Sequence, residues 1–307
     1  MIRTVQADAE LFLSALETSR RRYSTALSQL STGYRVAVPS DSPADVMDII
    51  RLNSRIAHGE SVAVNLTLAK SEAEIVDTTL QTGIELLEGA LQIGAQGTDS
   101  MLDATSHQGL AQQVQQIHQQ IYELTRLNVQ GRYVFSGDRD QEPQYTLDPA
   151  NTTTGVNREF TAGESRASTD LLGGVFQTGM SAQDIFDHRN ADDTVADDNV
   201  FAALASLTQA LQGGDSNAVI DAVSKIKLSL DHMNSALTFY GGVQNRIASS
   251  AALIDKYQLQ WKQARSDRRD ADAIAAVTEL ETAQTQQSAA MSARAKFSQR
   301  SLFDFLS

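Results

Sequence analysis

The sequence has no cysteine, four prolines and one tryptophan, and aromatic residues make up only 6% of its 307 positions. Without cysteine, disulfides and thiolate metal sites are excluded, which suits a chain that crosses from reducing to oxidising surroundings. Aromatics this scarce argue against an ordinary compact enzyme, and so few prolines leave long stretches uninterrupted. No N-terminal basic segment leads into an apolar run, and no apolar stretch reaches the roughly 18 residues of a membrane helix. Neither a cleaved signal nor a membrane span is therefore expected.

Basic residues are also in deficit, with a formal net charge of −13. The deficit is uneven. The first 35 residues carry five Arg against three acids, and residues 265 to 307 carry five Arg and one Lys against six acids, so the middle holds the acidic excess. Like charges repeated along a packed assembly repel, so near-neutral ends and an acidic middle suggest packed ends and a hydrated exterior. Nucleic-acid binding is not expected of such a chain.

Reactive chemistry is missing as well. His58, His107, His118, His188 and His232 are scattered without the i, i+4 pairing of a zinc helix, and read as surface or helix-lining residues. No phosphate-cradling glycine motif and no nucleophile elbow occurs. Asp138, Asp140 and Glu142 alternate but lack the glycine and distant glutamate of a calcium loop, and read as a solvated tip. The acids from Asp192 to Asp198 read as a solvated linker. Arg20, Arg21 and Arg22 spread over three faces of a helix. No catalytic, cofactor-binding or metal residue is expected.

What is present is helical periodicity. Ala9, Leu13, Leu16, Arg20, Tyr23, Leu27 and Leu30 follow alternating steps of four and three, the spacing of a coiled-coil seam. Ile49, Leu52, Ile56, Ala63, Leu66, Ala73, Leu80, Ile84, Leu87 and Leu91 hold one phase in a second helix. Leu110, Val114, Ile117, Ile121 and Leu124 mark a third, running to Gly131. Tyr133, Phe135, Tyr145 and Leu147 alternate around an acidic loop and read as a hairpin. Residues 150 to 195 read as a small β-rich insertion. Helix returns with Val200, Leu204, Leu207 and Leu211, ending at Gly213-Gly214. The strongest pattern runs from Val219 through Val223, Ile226, Leu230, Met233, Leu237, Tyr240, Ile247 and Ile254 to Trp261. A last helix, about 273 to 301, carries Ile274, Val277, Leu280 and Met291 and ends in Phe297, Leu302, Phe303, Phe305 and Leu306.

The break between the first two helices is the most specific wording in the chain: Leu30-Ser31-Thr32-Gly33-Tyr34-Arg35-Val36, then Pro39-Ser40-Asp41-Ser42-Pro43-Ala44. Gly33 is a natural helix stop, the prolines forbid a continuous helix, and Ser40 to Ser42 offer capping oxygens. A second phrase is Gly131-Arg132-Tyr133-Val134-Phe135-Ser136-Gly137. Together these phrases resemble the flagellin-like axial proteins of bacterial flagella, and within them the hook-filament junction members, over both ends and the first hairpin.

That resemblance implies a mainly α fold: a long antiparallel helical rod with a terminal coiled coil and a small β-rich insertion. Carried onto this chain, 1–35 and 271–307 would be the terminal coiled-coil pair, 36–130 and 197–270 the rod, and 131–196 the β-hairpin and outer insertion. It implies a structural subunit with no enzymatic activity and no cofactor, exported through the flagellar type III apparatus to the extracellular flagellum. Implied partners are further copies of the chain in a ring or helical zone, hook-associated protein 1, flagellin and an export chaperone at the C-terminal helix. The expected subunit interface comprises Leu13, Leu16, Tyr23, Leu27, Leu30, Ile274, Val277, Leu280, Met291, Phe297, Leu302, Phe303, Phe305 and Leu306. The expected linker and motif positions are Gly33, Arg35, Pro39, Ser40, Asp41, Pro43, Gly131, Arg132, Tyr133, Phe135 and Gly137. A filament flagellin with a short outer domain, and a cytoplasmic signalling coiled coil, stay open as alternatives.

Overall fold

A computed structural model describes residues 2–99, 101–163 and 165–303, with side chains over 10–295 apart from 100 and 164. Six long helices follow the expected order: α1 (Ile2–Thr32), α2 (Pro43–Gly97), α3 (Ala104–Thr125), α5 (Val200–Gly213), α6 (Ser216–Arg269) and α7 (Ala273–Phe303). A single-turn helix, α4 (Ala182–Ile185), precedes α5. The chain divides into two compact units, Met1–His58 with Lys256–Ser307, and Gly59–Asp255.

In the first unit α1 and α7 run antiparallel, with Arg22 beside Glu279, Ser19 beside Ala283 and the Arg294 guanidinium 5.2 Å from the Phe12 ring centre. Among the described side chains of this pair, the buried ones are small: Ser19 and Ala26 on α1, Ala276 and Ala283 on α7. Ser19 Oγ donates to the Ala283 carbonyl at 2.9 Å, a contact that needs the two backbones close together. The start of α2 and the end of α6 are also antiparallel, tied by Arg268 to Asp48 and by Arg265 to Asn53 at 3.2 Å.

The second unit holds the large core, built from α2, α3, α5 and α6. Val76, Leu80, Leu87, Val114, Ile121, Leu204, Leu207, Val219, Ile226 and Met233 are all buried in it. Antiparallel α2 and α6 approach closely where α2 has glycine: a Cβ on Gly94 would meet Val223 Cγ2 at 2.5 Å. On α6 the heptad residues Val219, Ile226, Met233, Tyr240, Ile247 and Ile254 are buried as the spacing predicts. Between them, however, lie Ala222, Ser229, Ala236 and Val243, whereas Val223, Leu230 and Leu237 sit at the margin. The narrower residues occupy the helix contact because they let the axes approach.

Four aromatics cluster in this core. Phe135, Tyr145, Phe186 and Phe201 are almost fully buried, with Phe135 edge-on to Phe186 at 5.6 Å and Tyr145 to Phe201 at 5.7 Å. Around them wrap three antiparallel hairpins, β1 (Asn128–Val129) with β2 (Arg132–Tyr133), β3 (Tyr145–Leu147) with β4 (Val156–Arg158), and β5 (Ala167–Thr169) with β6 (Val175–Gln177).

Two local expectations are corrected. The third helix ends at Thr125 rather than at Gly131, because the Arg126 N–H turns back to the carbonyls of Glu123 and Leu124. Tyr133 and Tyr145 do not pair with each other: Tyr133 pairs back with Asn128 and Tyr145 forward with Arg158. The cause is the turn at Gln130-Gly131, both at positive φ (53° and 83°), the geometry that closes a two-residue hairpin.

Candidate assembly surface

The terminal pair presents a surface opposite in character to its seam. Leu11, Leu13, Leu27, Ile274, Val277 and Met291 are exposed, Ile274 by 82%. Leu16, Tyr23, Leu30 and Leu280 are half-buried beside the small seam residues. The intramolecular seam therefore runs through Phe12, Leu16, Ser19, Tyr23, Ala26 and Leu30, a phase that shares only Leu16, Tyr23 and Leu30 with the one expected from the large residues. Arg20, expected in that seam, is exposed. Phe305 and Leu306, and the side chains of Phe297, Leu302 and Phe303, lie outside the described residues.

The linker between α1 and α2 is a folded element. Gly33 takes φ +75°, a left-handed value open to glycine, and its N–H closes α1 on the Gln29 carbonyl. Arg35 and Val36 N–H both donate to the Arg269 carbonyl, at 2.7 and 3.1 Å, so the end of α6 is capped by the linker. The Arg35 guanidinium bridges the Arg268 carbonyl at 2.5 Å and Asp45 Oδ2 at 3.0 Å, while Arg269 stacks on the Tyr34 ring at 3.7 Å. Hydrogen bonds from Ser42 Oγ and then Arg35 hold the Asp45 carboxyl below the ordinary carboxylate range. Pro39 and Ser40 lie in a turn closed by Asp41 N–H on the Val38 carbonyl, and Asp41 Oδ2 accepts from Ala37 and Val38 N–H. Pro43 is the first residue of α2, where its missing N–H costs nothing.

The second motif fixes the hairpins to the core. Gly131 makes the β1–β2 turn and Gly137 a further left-handed turn (φ 60°). Phe135 is fully buried, and its carbonyl accepts the first N–H of α4 from Ala182. Arg132 and Arg166 share two carboxylates: Glu72 of α2 at 3.4 and 2.8 Å, and Asp140 at 3.6 and 3.3 Å.

Several acids expected to be merely solvated have partners. Asp140 sits in that arginine pair, and Asp138 Oδ1 accepts from Gly163 N–H. Asp193 binds Arg158 at 2.6 Å, which lowers its carboxyl. Asp198 lies between His188 and His232. A buried polar cluster went unrecognised in the sequence: Asp187, fully buried, accepts from Tyr145 OH (2.9 Å), Arg189 Nε (2.9 Å) and Asn199 Nδ2 (2.7 Å). Burial, with the Asp187 charge beside it, pushes the Tyr145 phenol far up. Its members have no common spacing, so only the fold assembles them.

The conserved pattern of the bacterial flagellin N-terminal helical region matches residues 6–140, and that of the flagellin C-terminal helical region matches 221–306. The chain belongs to the flagellin family. This flagellin-like chain is 24% identical over 274 residues to flagellar hook-associated protein 3 of Escherichia coli K12, covering 84% of each protein. In fold it is similar to a Vibrio parahaemolyticus chain assigned as a flagellar hook-associated protein (TM-score 0.65, 17% identity, 75% of this chain and all of that one). It is also similar to hook-associated protein 3 of Legionella pneumophila (TM-score 0.61, 12% identity, 71% of this chain and 98% of that one). The flagellin-like chain is a structural protein of the bacterial flagellum, and among its described residues no helix is long and apolar enough to cross a membrane.

Proposed function

We propose that this chain is the hook-filament junction subunit, joining the hook-associated zone to the flagellin filament through packing of its terminal helices. The observation that carries the reading is the inside-out terminal pair: its fully buried residues are small, its larger seam residues are only half-buried, and Leu13, Leu27, Ile274, Val277 and Met291 are left open. An apolar stripe of this kind is surface for another molecule. Its similarity over most of its length to hook-associated protein 3 supports the junction over the filament role.

In this reading 1–35 with 271–307 form the inner pair, 36–130 with 197–270 the rod, and 131–196 the outward insertion. The partners are neighbouring copies, hook-associated protein 1 on one axial side and flagellin on the other, with an export chaperone holding the C-terminal helix before passage through the type III apparatus. The role is scaffolding, with no catalysis. A junction subunit needs two different axial faces, so its contacts stop instead of propagating. Deleting the gene should leave hooks that release flagellin into the medium, and labelled protein should mark a short zone at the hook end. Labelling along whole filaments, or long filaments grown from this protein alone, would establish a filament flagellin instead.

A further inference from the structure

We propose that His188, Asp198 and His232 form a binding site for a divalent transition-metal ion of the zinc class. The three come from separate places: His188 just after α4, Asp198 just before α5, and His232 on α6. Their ligand atoms lie within 4.8 Å of one another. Both imidazoles turn Nδ1 toward the same carboxylate, His188 to Asp198 Oδ1 at 2.7 Å and His232 to Asp198 Oδ2 at 3.4 Å, with the rings stacked at 4.7 Å.

The bonding of His232 makes this more than a surface cluster. Its Nε2 lies 2.7 Å from the Asp184 carbonyl, which can only accept, so the ring proton is on Nε2. In the neutral ring Nδ1 is then a bare lone pair aimed at a carboxylate oxygen, two acceptors face to face. A proton on Nδ1 or a metal cation between them removes the conflict. Two ligands each about 2.1 Å from a tetrahedral zinc are about 3.4 Å apart, the separation found between His232 Nδ1 and Asp198 Oδ2. The Asp184 carbonyl meanwhile supplies the outer hydrogen bond that orients a metal-bound imidazole. At 2.7 Å, His188 is closer than a ligand pair would be, so its half-exposed ring would move back by less than about 1 Å on binding an ion.

Two imidazoles and one carboxylate favour zinc, nickel or copper over magnesium or calcium, which prefer all-oxygen sets. His188 and His232 line an open cleft together with Gly179, Met180 and Asp184, which leaves a position for water. A bound ion would clip the loop between α4 and α5 to α6, a cross-link in a chain that has no disulfide.

The test uses the untagged, metal-stripped full chain in calorimetric titrations with Zn2+ and, separately, Mg2+. One equivalent of Zn2+ should bind, Mg2+ should not, and the melting temperature should rise with Zn2+. His188→Gln, on a half-exposed ring, should leave the circular dichroism unchanged and weaken Zn2+ binding by about a hundredfold or more, beyond the 10–100-fold loss typical of an outer-shell partner. His232→Gln should do the same, and His58→Gln should change nothing. Absence of Zn2+ binding by the folded chain would overturn the proposal. So would Zn2+ binding that survives both His188→Gln and His232→Gln, since that marks adventitious surface binding.

Discussion

The inside-out terminal pair makes a paired prediction in which large and small residues exchange their usual importance. Ile274→Ala and Leu13→Ala remove side chains that are 82% and 57% exposed, and alanine is the best helix former, so each should change monomer stability by no more than about 0.5 kcal/mol. Ala283→Leu does the reverse. Ala283 is 1% exposed and its carbonyl receives the Ser19 hydroxyl at 2.9 Å, so three added carbons have no space unless the helices part. Overpacking of this kind costs about 1 to 3 kcal/mol, a large share of what a two-helix contact whose larger residues are only half-buried can supply. In an assembly the order inverts, because burying the open part of Ile274, Leu13 or Met291 is worth about 1 kcal/mol or more each, multiplied over every copy. Hydrogen exchange of the monomer over residues 10–32 and 273–295 reads the first effect, and filament growth in cells reads the second. Ala283→Leu should accelerate exchange in both segments, whereas the Leu13→Ala, Ile274→Ala double variant should exchange like the parent yet fail to support filaments. Loss of protection in the double variant, or normal filaments from it, would refute the reasoning.

Arg35→Ala removes the bridge between Asp45 and the Arg268 carbonyl, and should free the linker, seen as increased proteolysis between residues 33 and 42 with the core of 59–255 unchanged. The Asp45 carboxyl is lowered by folding, so its contribution is present above the unfolded value near 3.8 and is lost as pH falls through the lower folded value; acid should release the same linker, detected by the same cleavage. Asp187→Ala strips partners from Tyr145, Arg189 and Asn199 at once and should destabilise the unit by about 3 to 5 kcal/mol in denaturant titrations. Burial pushes the Tyr240 phenol up to about 12, so of the seven tyrosines this one, with the more strongly raised Tyr145, should ionise late in an ultraviolet titration; the neutral form Tyr240 favours supports folding up to pH 10, and that support fades between pH 10 and 12.

Helix positions were legible in the sequence because long amphipathic periods leave few alternatives, and two of their ends were written in Gly33 and Gly214. The phase of the seams was not. Reading by hydrophobicity favours large residues, so it chose Leu13 and Leu27 where the pair buries Ser19 and Ala26, and Leu230 and Leu237 where α6 buries Ser229 and Ala236. The usable signal was the small residues themselves: Ala276, Ala283 and Ala290, like Ala222, Ser229 and Ala236, recur every seven positions. The hairpin pairing was missed because Gln130-Gly131 is a weaker turn cue than Asn-Gly. His188 and His232 stand 44 positions apart, Asp198 between them, and no periodicity links them; only the packing of the segment before α5 against α6 brings them together.

The phase error is informative about function. In a coiled coil that is complete by itself, the large residues meet across the seam and the outer face is polar. Here α1 and α7 depart from that arrangement: Ser19 and Ala26 of α1 and Ala276 and Ala283 of α7 are the buried residues, with Ser19 bonded to the Ala283 carbonyl, while Phe12, Leu16, Tyr23 and Leu30 are only half-buried beside them. Leu11, Leu13, Leu27, Ile274, Val277 and Met291 are left exposed along the pair, whereas Leu16, Leu30 and Leu280 are half-buried. Under the proposed junction role such a pair would gain more from neighbours than from its own contact, which would couple its stability to assembly. In the proposed junction role that coupling would let the subunit become rigid where it assembles, and the sequence sets it by where alanine and serine fall.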